Sequence, residues 1–320
     1  MNKKWIYVGT IATLTFLIVV LIAYLNASSL EEKSSILVEE FGGYGNDDKD
    51  DSSAIQDAID LSYKENKLPV QLLGETYILK QGLQLKEGVS LVMGQSTKLL
   101  VEGNFNVLEL KKNTSITKGT IEVTNPDFSS NVVYISGEEK IWTTESIIVE
   151  QLTLYNSSGS NSGNAISFIA EGSGEFISFV NVVNVNISGF HTSVYLQAIP
   201  PNNEEEYNFI NGNRFINVTM EDCIVCIHMN SEVTIPNEVS GNVFDNLQIQ
   251  LTERTERVAI ISGSHNTIEG MIWDASILKD SSPLIDFQQE SYKNVVETNL
   301  SNNRIVDVGK ENRYGISISD

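Results

Sequence analysis

Cysteine is nearly absent from this 320-residue chain. Its two cysteines, Cys223 and Cys226, form a lone C-x-x-C. A redox or metal role needs both sulfurs on one face. The β-branched neighbours Ile224, Val225 and Ile227 predict a strand, in which residues three apart point to opposite faces. The spacing therefore favours two unpaired thiols in or beside a core. Basic residues are also scarce, with 21 Lys and Arg against 42 Asp and Glu and a net charge of −21. A field of that sign repels phosphate backbones and argues against a nucleic-acid partner. It repels polyanionic glycans too, unless a metal ion or a local Arg/Lys patch intervenes.

One long uncharged run is present. Lys3 and Lys4 precede residues 5–25, which hold no charge, and Glu31 and Glu32 lie beyond. That length predicts a transmembrane helix with its N-terminus inside, and it exceeds the usual core of a cleaved signal peptide. Residues 1–27 are read as a membrane anchor, with cleavage after Ala27 as the other outcome. Residues 28–37 are a linker and residues 38–320 the folded domain. The expected location is the cell membrane, single-pass, with the bulk of the chain outside the cytoplasm, or else secretion.

Helix-forming pattern is confined to one further place. Gly42, Gly43 and Gly45 mark a turn. After it, Ser53 and Gln56 have capping-box spacing, and Ile55, Ala58, Ile59 and Ser62 share one face, predicting a helix over 53–64. Past Pro69 the chain reads as short β-rich runs separated by Gly, Asn and Ser turns. An Asn-x-Phe/Ile motif begins at Asn213, Asn242 and Asn266, with a weaker copy at Asn294, at intervals of 29, 24 and 28 residues. A hairpin fold needs no such period, whereas one coil of a three-faced solenoid does. An asparagine at each coil's bend can hydrogen-bond the coils on either side while Val, Ile, Leu and Phe stack inside. The expected fold is an all-β right-handed parallel β-helix, its first coil covered by the helix at 53–64 and preceded by the transmembrane helix. The last coil is left to be closed by the final strand lying along the side, or by another subunit in a homo-oligomer.

Residues 38–94 resemble the N-terminal part of the pectate-lyase superfamily of parallel β-helices, in the version shared by bacterial exported enzymes and phage tail spikes. Phe41-Gly42-Gly43 stands for the family's turn, Asp50-Asp51-Ser52 for its acidic cap and Ala54-Ile55-x-x-Ala58-Ile59 for its helix. Val70-x-Leu72-Leu73-x-x-Thr76-Tyr77 follows as its first strands, with Leu73-Gly74 in place of the usual proline step. The resemblance implies a polysaccharide or cell-wall glycan as partner. It leaves open a lyase, a glycoside hydrolase, or a non-catalytic binding or structural protein.

Polygalacturonase-like members show an Asp-Asp-Cys strand, a Gly-His-Gly and an Arg-Ile-Lys. This chain has Glu221-Asp222-Cys223, Gly263-Ser264-His265-Asn266 and Asn303-Arg304-Ile305, in the same order. The family's Asn-Thr-Asp strand is missing, and Val306 stands where its lysine would be. The candidate catalytic set is Asp222, Asp245, His265 and Arg304, because glycoside hydrolysis needs two carboxylates about one bond. Lysis needs a base, often Arg or Lys. Arg254 and Arg257 form a cluster of that type, and Ile272-Trp273-Asp274 is similar to a pectate-lyase strand. Residues 155–164 and 199–207 read as loops leaving the coils, where Tyr155, Tyr195 and Tyr207 are placed to stack on sugar rings. The run 46–51 lacks calcium-loop spacing. His191, His228 and His265 recur at 37 residues, which is not a whole number of coils. No metal site is assigned, and the sequence names no cofactor.

Overall fold

A computed structural model of the chain describes residues 15–20, 34–203, 205–232, 238–279 and 282–316. Residues 15–20 are helical, with exposed side chains. A helix of six residues is about 9 Å long, far short of the ~30 Å of bilayer hydrocarbon. The rest of the 5–25 run lies outside the described residues. No helix among the described residues is long and apolar enough to cross a membrane. This corrects the expected transmembrane helix, and nothing among the described residues supports the membrane partner read from it. The fold is an all-β, right-handed parallel β-helix with a single capping helix.

From Ile36 onward the chain winds into stacked coils whose strands all pair in parallel, in one 15-stranded and one 12-stranded sheet. Alternation dictates the winding. In Thr76–Leu79, Ser90–Met93 and Lys98–Val101 every second residue is buried and its neighbours face outward. The buried set is mostly Val, Leu, Ile and Phe, with Ala, Met, Tyr77 and the two cysteines among them, so each coil adds a layer to one apolar column. Phe215 and Phe244 stack inside it, with ring centroids 4.4 Å apart.

The predicted asparagine ladder is real and longer than the sequence motif shows. Asn213, Asn242, Asn266, Asn294 and Asn312 occupy one corner of successive coils. Each side-chain amide donates to the next side-chain carbonyl at 2.9, 3.0, 3.0 and 3.1 Å. Those same carbonyls accept the preceding asparagine's backbone N–H at 3.1, 3.0, 3.0 and 3.0 Å. The first four asparagines are buried. A second, exposed ladder joins Asn184, Asn217 and Asn246, which bend their strands with φ of +55, +55 and +53 degrees. Asparagine is among the few L-residues that accept this left-handed conformation. A third links Asn106, Asn131 and Asn164 at 2.8 and 2.9 Å.

The capping helix spans Ser52–Lys64 and buries Ile55, Ala58, Ile59 and Ser62, the expected face. The expected capping box does not form. Gln56 turns instead to the first coil, accepting from Gln84 N–H at 2.9 Å and donating to Gln84 carbonyl at 3.2 Å. Asp51 takes Ile78 N–H at 2.9 Å, and Ser52 Oγ takes Lys80 N–H at 2.9 Å. The acidic motif thus ties the helix to an edge that would otherwise present unpaired main chain. Burial pushes the Asp51 carboxyl above its ordinary value, against the hydrogen bond from Ile78. At the far end, Arg313–Ile316 adds as one more parallel rung on Val295–Thr298 rather than lying along the side.

The first two ladders differ in burial, and that difference is measurable. Asn242→Ala strands buried amide partners on both sides and should cost about 2–4 kcal/mol. Asn217→Gly keeps the left-handed bend and loses only exposed bonds, so it should cost under about 1 kcal/mol. Denaturant unfolding of the two variants compares them directly.

Candidate functional site

Strand register decides which side chains share a surface. Glu122, Tyr155, Ser188, Glu221, Gln250 and Trp273 are successive rung partners on outward positions of the larger sheet. Beside them run Thr120, Thr153, Asn186, Thr219, Gln248 and Met271. Tyr155 is 41% exposed and Trp273 49%. Four inter-strand steps separate them, about 19 Å along the solenoid axis.

Two clefts follow this column and share Glu221 and Thr252. One, of about 500 Å³, is bounded by Tyr155, Ser157, Ser188, Asp222, Glu253 and Arg254. The other, of about 450 Å³, is bounded by Thr219, Gln248, Gln250 and Trp273. Trp273 Nε1 donates to Gln248 at 2.9 Å, which fixes the indole against the sheet. At the upper end Ser157 donates to Glu122 at 2.7 Å and Lys98 pairs with it. Burial raises the Glu122 carboxyl, but these hydrogen bonds outweigh it and hold it below the ordinary carboxylate range.

The groove's rim is three loops tied together by Asp222 and Arg254. Asp222 sits at a corner with φ of +51 degrees. Its carboxylate accepts from Thr252 Oγ1 at 2.8 Å and lies 3.5 Å from Arg254 Nε. Its main-chain carbonyl accepts from the Asn161 amide. Arg254 also donates to Asn161 Oδ1 and to Gly159 carbonyl. The expected excursion at 155–164 therefore forms a wall of this groove.

The expected catalytic set does not converge. Asp222 alone lines the groove, and its carboxylate is engaged in holding the rim. Asp245 lies on the other arm of the bent strand, as rung partner of Ile216. His265 is exposed at a different corner, edge-on to Tyr292 at 5.7 Å and with Nδ1 2.9 Å from Ser264 Oγ. Arg304 is buried, and its guanidinium donates to the carbonyls of Ala275, Leu278, Lys279 and Ser282. It secures a loop and meets no groove.

Of the expected binding residues, Tyr155 and Arg254 belong to the groove. Among the described residues Arg257 donates to the carbonyl of Glu256, and Tyr207 stands exposed on the 199–207 loop. Tyr195 is on the other sheet, its ring 5.1 Å from His228, whose imidazole burial pushes below its ordinary value. His191 precedes the Tyr195 strand, and His265 is elsewhere, so the 37-residue spacing reflects no shared rung. Cys223 and Cys226 are both buried and free. They do meet, contrary to the opposite-face argument, because Cys223 lies in the corner before its strand begins at Val225. A hydrogen bond between them, with burial, raises the Cys226 thiol well above its ordinary value. Glu221, Gln250, Gln248, Thr252 and Trp273 went unassigned from sequence, because nothing local marks them as rung neighbours.

No protein-family model matches this chain, and no curated protein matches it. Solved structures do. ORF18 of Geobacillus virus E2 aligns with a TM-score of 0.52 at 12% identity, over 93% of this chain and 64% of that one. The chain thus spans under two thirds of that protein's length. A family 28 exopolygalacturonase of Yersinia enterocolitica aligns at 0.45 and 12% identity, over 89% and 79%. The surface adhesin PfbA of Streptococcus pneumoniae aligns at 0.31 and 11%, over 89% and 98%. At 12% identity the alignment with ORF18 shows a likeness of fold alone.

The two arginines give opposite expectations. Arg304→Ala removes a buried guanidinium from four carbonyls and should destabilise the chain by about 2–4 kcal/mol. Arg257→Ala should stay within about 0.5 kcal/mol. Thermal unfolding of both variants tests whether Arg304 is structural.

Proposed function

We propose that this protein binds a glycan chain in the lateral groove between Tyr155 and Trp273 and does so without cleaving it. The observation that carries this reading is the register-aligned column itself. It sets two exposed aromatic rings about 19 Å apart along one axis, with hydroxyl, amide and carboxylate side chains between them. Flat rings offer stacking faces for sugar rings, and the polar groups between match hydroxyls. A groove of this shape suits an extended chain better than a compact metabolite.

The absence of convergence favours binding over catalysis. Acid–base cleavage of a glycosidic bond needs two carboxyl groups placed about one bond. Asp222 is committed to Thr252 and Arg254, while Asp245, His265 and Arg304 are elsewhere. Glu221 and Glu253 are the groove carboxylates that a hydrolytic reading would have to use.

Titration calorimetry against an oligosaccharide panel, with parallel assays for new reducing ends and unsaturated products, tests the reading. Saturable binding without either product is expected. Tyr155→Ala or Trp273→Ala should weaken binding about tenfold, since losing one buried aromatic face is worth about 1.4 kcal/mol or more. New reducing ends that vanish in Glu221→Gln would establish the hydrolytic reading instead.

A further inference from the structure

We infer that the groove takes a glycan without carboxylates, uncharged or bearing free amines, laid parallel to the solenoid axis. This rests on the groove being the binding surface, and it adds the ligand's charge and direction.

The charge argument begins with the cations. Arg254 is the one cation among the residues bounding the two clefts. It is already committed to Asp222, Asn161 and Gly159. Lys98, near the upper end, is paired with Glu122. Among the described residues bounding the two clefts, no free guanidinium or ammonium is left to receive a ligand carboxylate; the exposed Lys118 bounds a separate cleft with Thr120, Thr153 and Asn186. The anions are different. Glu221 and Glu253 border the same cleft, are exposed, and have no ion-pair partner among the described residues. A uronate placed there would bring like charges together with nothing to neutralise them, within a chain of net charge −21. A protonated amine on the ligand would meet those carboxylates favourably.

What remains is suited to neutral sugars. Ser188 and Thr219 present hydroxyls, Ser157 and Thr252 keep oxygens able to accept beside the protons they give to Glu122 and Asp222, and Gln248 keeps an amide N–H and Gln250 an amide oxygen. Direction follows from register. Tyr155, Ser188, Glu221, Gln250 and Trp273 are one residue per coil, so a ligand touching both rings must run across coils rather than along a strand.

The test uses the full chain and three oligosaccharide series of matched length, from disaccharide to hexasaccharide: N-acetylated chito-oligosaccharides, their de-N-acetylated forms, and oligogalacturonates. Affinity should rise with length until a chain reaches both rings, then level off. The amine-bearing series should bind more tightly than the acetylated one at low salt. It should lose about tenfold at about 0.5 M salt, where surface charges are screened. Glu221→Gln with Glu253→Gln should narrow the gap between the two series. Oligogalacturonates binding as tightly as either would overturn the charge inference, and so would a salt-independent gap. Affinity that is already maximal at the disaccharide would overturn the axial direction. If none of the three series binds, or if binding ignores Tyr155→Ala and Trp273→Ala, the groove reading itself fails.

Discussion

The structure depends on coil registry, and registry depends on a line of buried asparagine amides. From Asn242 to Asn312 each carboxamide oxygen takes two N–H groups, backbone and side chain, from the asparagine of the preceding coil. A parallel sheet alone tolerates slippage wherever its outward face is polar, because main-chain bonds repeat at every second residue. A buried amide does not, since a shifted coil would leave donors and acceptors without partners in an apolar interior. Coils of different length, with ladder steps of 29, 24, 28 and 18 residues, therefore stack with one corner held in line.

Registry at the buried corner becomes geometry on the surface. Once Phe215 sits over Phe244, their strands carry Glu221 over Gln250 six residues on. The exposed column from Tyr155 to Trp273 is the outward face of the same alignment. Extra length in each coil is expelled into loops, and those at 156–163 and 252–255 are drawn together over the column by Asp222 and Arg254. The core thus sets the spacing of the aromatic platforms, and the loops set the wall beside them.

Much of the fold was legible in the sequence. Asn213, Asn242, Asn266 and Asn294 could be found because each has Phe, Ile or Val two positions on, at a near-regular period. Asn312 could not, being followed by Arg-Tyr after a short coil. Asn164-Ala165-Ile166 and Asn131-Val132-Val133 carry the same short pattern, yet they lie outside the stretch in which the period stands out. The helix face at Ile55, Ala58, Ile59 and Ser62 was readable from periodicity, whereas Gln56's turn to Gln84 is a tertiary choice that capping-box spacing cannot foresee. The transmembrane expectation rested on the apolar length of 5–25, of which the structure describes a six-residue helical stretch. The site was less legible. Asp222, His265 and Arg304 were chosen for residue type and order along the chain, yet three different environments receive them: a rim, an exposed corner and a buried loop anchor. Trp273 was visible as an aromatic, but its alignment with Tyr155 appears only when loop lengths are subtracted coil by coil.

The most direct measurement of the central claim is a crystal structure of the chain saturated with a glycan hexasaccharide. The account predicts sugar rings stacked on Tyr155 and on Trp273, with the chain crossing the coils over Ser188, Glu221 and Gln250. Ordered sugar on the Tyr195 and His228 sheet, with the Tyr155 to Trp273 column bare, would contradict it.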